Sequence, residues 1–222
     1  PLQTQAKSGG HTATESLLAR SGAPAPRLLF WLSAVFFLAA ALAGGMYIHI
    51  SSALYSKGFD PLRVSLLVSC FQAGTALLQF FPGVLSTRFR LRSIMNLALP
   101  LTALGAVVLI FLGPSSPIPI TILMVALVGG GRMFTSLNPL LARYAFGSVQ
   151  FTQAYSRLQA IYLVGTAFTS IIYGGIYSAT GSYAGTLWLM AGCMAVLLVL
   201  TQIIFTLVDG VRPRNGGTQN AV

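Results

Sequence analysis

IPITILMVALVGGGRMFTSLNPL, residues Ile118 to Leu140, holds one charge, Arg132, in an otherwise uncharged and largely apolar run. Its length matches the ~20 apolar residues needed to cross a hydrocarbon core about 30 Å thick. Five more runs share this character: Leu28 to Leu54, Leu62 to Leu85 and Ile94 to Leu112 before it, Leu158 to Tyr177 and Thr186 to Leu207 after it. Breaker chemistry separates several of them, at Lys57-Gly58-Phe59-Asp60-Pro61, Gly113-Pro114-Ser115-Ser116-Pro117 and Thr180-Gly181-Ser182. The composition agrees, with 55% hydrophobic and 7% charged residues among 222, where a soluble domain carries about a quarter charged. The expectation is an all-α polytopic membrane protein. Six transmembrane helices fill residues 27–211, with a polar tail over residues 1–26 and a short tail over residues 212–222.

The chain opens on Pro1, and the stretch to Arg27 is polar with no apolar core. It reads as the remnant of a linker in a longer chain, not as a signal peptide. A net charge of +10 would suit nucleic acid if the basic residues formed one patch interleaved with aromatics. They fall between apolar segments instead, where Lys and Arg set orientation by staying cytoplasmic. Lys7, Arg20 and Arg27 precede the first span, and Arg88, Arg90 and Arg92 separate the second from the third. Arg143 and Arg157 flank the junction of the fourth and fifth, and Arg212 and Arg214 follow the sixth. All these regions lie on one side, while Lys57 and Arg63 lie on the other. The reading places both termini in the cytoplasm and the protein in a plasma membrane, taken as a bacterial inner membrane.

No cofactor or metal is implied, because Cys70 and Cys193 sit singly in apolar stretches without CxxC or zinc spacing. Membrane enzymes and channels also fit poorly. An intramembrane serine protease needs a His partner deep in the membrane, and besides His49 the chain offers His11, in the polar tail. A water channel needs paired Asn-Pro half-helices, and Asn138-Pro139 occurs once.

Polar side chains are unevenly shared among the spans. The first carries Tyr47, His49, Ser51 and Ser52; the second carries Gln72, Thr75 and Gln79, at spacings that share one helical face. The third is almost wholly aliphatic after Asn96. The fourth has Arg132, Thr135, Ser136 and Asn138, the fifth Gln159, Tyr162, Thr166, Thr169 and Tyr173, and the sixth little beyond Thr201 and Gln202. Polar, polar, greasy thus occurs twice, and three spans being an odd number, the second triplet runs inverted. Two inverted three-helix repeats around a polar interface are a recurrent plan of secondary transporters. On this plan the third and sixth spans are peripheral, with Val107, Leu109, Leu197 and Leu200 toward lipid and Gln72 and Thr166 on an interior face. Gly44-Gly45, Gly129-Gly130-Gly131 and Gly174-Gly175 lie where helices are expected to approach closely or bend.

Two stretches carry a family resemblance. Gly83-Val84-Leu85-Ser86-Thr87-Arg88-Phe89-Arg90-Leu91-Arg92 follows the loop signature of the major facilitator superfamily at Gly83, Arg88 and Arg92. Thr87 stands where that family usually has Asp, and Arg90 where it often has Gly. The stretch from Ile172 to Tyr183 resembles the end of the eleventh helix in the organic-anion and monocarboxylate-like branches, with Ser178 where an Asp is frequent. From Arg27 to Arg214 the chain resembles the carboxy-terminal half of such a transporter. The resemblance implies that the six spans correspond to helices seven to twelve, with Gly83, Arg88 and Arg92 as a conformational motif. It also implies a small-molecule solute, the lipid bilayer as surroundings, and a partner in an amino-terminal six-helix half, covalent in the parent protein, or in a second copy.

Arg132 is the leading binding residue, since a charge deep in a span is costly unless it faces a cavity or a partner. No Asp or Glu occurs between Asp60 and Asp209. It reads either as an anion-binding group on the solute path or as a guanidinium capped by carbonyls of a neighbouring helix or reaching toward the cytoplasmic interface. Gln72, Gln79, Asn138 and Tyr162 join it as cavity-lining residues. His49 reads as a proton-coupling group, its ordinary pKa being near 6.5, or as an interfacial histidine. Trp31, Tyr55 and Trp188 read as interface anchors. The rival to a carrier is a non-transporting membrane scaffold, whose polar faces would pack dry against one another.

Overall fold

A computed structural model describes residues 26–211. The tails, with Lys7, His11, Arg20, Arg212 and Arg214, lie outside the described residues apart from Pro26. Six helices are long and apolar enough to cross a membrane: α1 (Pro26–Ser56), α2 (Pro61–Leu85), α3 (Leu91–Phe111), α4 (Ile118–Ser148), α5 (Gln150–Thr180) and α6 (Ala184–Asp209). No strand occurs among the described residues. The all-α, six-span reading therefore holds.

Local chemistry explains the helix ends. Asp60 caps α2 by accepting the Arg63 backbone N–H at 3.3 Å, with Pro61 in the first turn where its missing N–H costs nothing. Lys57, in the turn before it, reaches across to α3 and donates to the carbonyls of Ile110 (2.7 Å) and Leu112 (3.1 Å). This ties the α1–α2 turn to a helix end whose last carbonyls lack intrahelical partners. Burial holds the Lys57 ammonium below the ordinary lysine pKa. α4 and α5 run on past the expected Leu140 and Leu158 until they almost meet. The chain between them contains no breaker except Gly147, and that glycine alone leaves helical geometry, at φ 66° and ψ −175°. Positive φ there suits glycine and few other residues. Arg143 and Arg157 consequently sit on helices, not on a loop.

The bundle is arranged by burial. α3 and α6 pack along each other, α4 begins against α2 and α3, and the first half of α1 lies on α5 through Phe36 with Tyr155 and Phe37 with Phe168. In the most apolar stretches, 50% of α1 and α4 is buried against 22% of α2 and α5, so the second helix of each triplet is the one left open. One expectation needs correcting. Leu109 and Leu197 are buried, not lipid-facing, because the greasy helices α3 and α6 spend apolar surface on packing. Gln72 and Thr166 are exposed on the described bundle.

Candidate functional site

Halfway along α1 the backbone widens into a π turn, Ala39–Ala43, and within α4 it tightens into a 3-10 turn, Gly129–Met133. The irregularities fall on the first helix of each triplet, and they touch. A Cβ on Gly131 would collide with the Ala43 carbonyl oxygen, so the backbones meet only because that side chain is missing. Irregular backbone inside a membrane must still satisfy its polar groups. Thr169 Oγ1 donates to the carbonyls of Ala40 (3.2 Å) and Ala41 (3.3 Å), Tyr173 Oη to that of Leu42 (2.6 Å), and Cys193 Sγ to that of Leu38 (3.6 Å). α5 and α6 thereby hold the π turn open. Gly174 and Gly175, in contrast, meet no neighbour and mediate no close approach.

Arg132 leaves the 3-10 turn with its guanidinium carbon 4.3 Å from the centre of the Tyr47 ring on α1. Its backbone carbonyl accepts from Thr135 Oγ1 (2.8 Å) and from Gln79 Nε2 of α2 (3.4 Å). Its Nε is buried with no hydrogen-bond partner among the described residues. Tyr162 of α5 is buried and within electrostatic range of the guanidinium. The acids among the described residues are engaged elsewhere, Asp60 with Arg63 and Asp209 with Tyr144. A cation stabilised on one face by an aromatic ring and paired with no carboxylate can bind an anion through its terminal N–H groups without first losing a partner.

Of the residues singled out in the sequence, Arg132, Gln79 and Tyr162 converge from α4, α2 and α5. Gln72 is exposed and has no hydrogen bond among the described residues. Asn138 is buried, its Oδ1 unpartnered, farther along α4. His49 belongs to a separate aromatic group. Its ring stacks on Tyr173 at 5.3 Å and tilts against Tyr183 at 5.9 Å, and its Nε2 is buried and unpartnered. Beside it lies a cavity of about 460 Å³ lined by Ser52, Tyr55, Ser56, Tyr177 and Tyr183. Tyr47 and Thr75 are functional candidates that the sequence reading noted as polar but did not select. Thr75 Oγ1 is a fourth buried, unpartnered atom and faces Gly129, where a Cβ would strike it.

In the first turn of α3, Arg92 Nε donates to Gln202 Oε1 of α6 at 2.8 Å, and Gln202 Nε2 donates in turn to Asn96 Oδ1. Gly83 has open space around it. Arg88 is exposed, with no partner among the described residues. The loop motif is thus anchored at one of its three residues.

No curated protein and no solved structure matches the chain. The family model described as Major Facilitator Superfamily matches residues 29–221, a range that takes in all six spans but for the first three residues of α1, and every residue of the Arg132 group. With six membrane-capable helices and that match over most of its length, the chain belongs to the major facilitator superfamily of membrane transporters.

Proposed function

We propose that residues 27–211 form one half of a secondary carrier that moves a small organic anion by alternating access, with Arg132 as the fixed positive charge on its path. The carrying observation is the guanidinium itself: seated over Tyr47, its Nε without a hydrogen-bond partner, and in no ion pair with either carboxylate of the described residues. A capped structural arginine would have used its donors on neighbouring carbonyls. Gln79 and Tyr162 supply hydrogen-bonding groups around the same point, and Asn138 and Thr75 hold unused polar atoms farther off. The exposed polar residues Gln72 and Thr166 on α2 and α5 support a face that meets an amino-terminal half or a second copy. They speak against a scaffold whose polar faces pack dry. The basic-residue asymmetry supports cytoplasmic termini.

The test is uptake of carboxylate solutes into vesicles with surface expression matched between variants. Arg132→Gln should lower uptake on the order of tenfold to a hundredfold, the loss set by one charge-assisted hydrogen bond. Arg132→Lys should fall between, since it keeps charge but loses the planar fork. Unchanged affinity and rate in Arg132→Gln would make the residue structural and remove the anion reading.

A further inference from the structure

Where α2 ends and α3 begins, a crevice of about 170 Å³ opens on the bundle surface. Its walls are apolar, from Leu78, Phe81 and Leu85 on one helix and Leu97 and Leu101 on the other, with Met133 of α4 at its floor. Phe81 and Leu97 are 49% and 68% exposed, so nothing among the described residues covers it. The loop that joins the two walls carries Arg88 and Arg90, both exposed and both without a partner among the described residues, and Phe89, 58% exposed, between them. Arg92 is occupied by Gln202. The loop offers no carboxylate of its own, and Thr87 turns its hydroxyl back onto the Val84 carbonyl at 2.7 Å.

An open apolar slot with two unneutralised guanidiniums at its mouth is complementary to an amphiphile with an anionic head. The walls belong to membrane-spanning helices, so the slot's surroundings are acyl chains, and the arginines sit at the end of those helices, at headgroup level. We propose that this crevice binds an anionic phospholipid, one acyl chain lying between α2 and α3 and the phosphate held by Arg88 and Arg90. The site is separate from the Arg132 group and does not depend on what solute is carried.

Native mass spectrometry of the purified protein, titrated with phosphatidylglycerol or phosphatidylcholine, tests it. Wild type should retain phosphatidylglycerol on the order of tenfold better. Arg88→Gln with Arg90→Gln should abolish that preference, Arg88→Lys with Arg90→Lys should largely keep it, and Leu97→Trp, which fills the slot, should reduce retention of both lipids. Arg143→Gln with Arg157→Gln, at the same end of the bundle, should change neither. Equal retention of the two lipids by wild type, or no retention because another polypeptide covers the slot, overturns the proposal. So does a preference that survives the Arg88/Arg90 glutamine pair, or one lost equally in the Arg143/Arg157 pair, which would indicate a diffuse basic surface. Matched circular dichroism of the variants separates lost binding from lost fold.

Discussion

Gly131 sets how near α4 comes to α1, because any side chain there meets the Ala43 carbonyl. Gly131→Val should therefore cost about 1–3 kcal/mol from overpacking and lower the melting temperature in detergent by several degrees. Gly174→Val, at a position with open space around it, is the control and should melt like wild type. Equal melting of the two variants would mean that the close approach does not exist. At this scale much of the Arg132 group was legible in the sequence. One charge in an apolar run, and Gln79 spaced to share a face with Thr75, are visible without coordinates. Tyr47 was not selected, because its place over Arg132 depends on the π turn four residues earlier. A π turn takes an extra residue into the turn and re-aims every side chain that follows, and Ala39–Ala43 carries no residue that announces it.

Among the helices, length and hydropathy located each span, since crossing a bilayer demands both together. They did not locate the α4–α5 junction, where helix-compatible residues continue up to a single glycine. Nor did greasiness alone identify the lipid-facing surface, because α3 and α6 use it on each other. The π turn depends on α5 for its hydrogen bonds. Thr169→Val with Tyr173→Phe should remove two of the three side-chain donors, and three of the four hydrogen bonds, to carbonyls at and just before the turn, at roughly 0.6 kcal/mol per bond. Amide hydrogen exchange at Ala43 and Gly44 should speed up by several-fold. Thr166→Val, exposed on the same helix, should leave those amides unchanged. Unaltered exchange in the double variant would show that α1 holds its π turn unaided.

For the molecule as a whole, the proposed orientation rests on the basic residues. Reporter fusions at Arg90 and Ser148 should read cytoplasmic, and fusions at Gly58, Ser115 and Ser182 external. A cytoplasmic signal at Ser115 would contradict the arrangement of six spans. The contact between Gly131 and Ala43 has a mechanical consequence at this scale. Two rods touching near their middles cannot slide freely past each other, but they can rock on that contact like a see-saw, in the plane that holds both axes. From Ala43 to the end of α1 at Ser56, and from Gly131 back to the start of α4 at Ile118, each arm extends about 20 Å at 1.5 Å per residue. A 10° tilt about that contact would carry such a tip by about 3.5 Å. The opposite ends of the same rods would travel the other way, so an opening on one side of the bilayer would be a narrowing on the other.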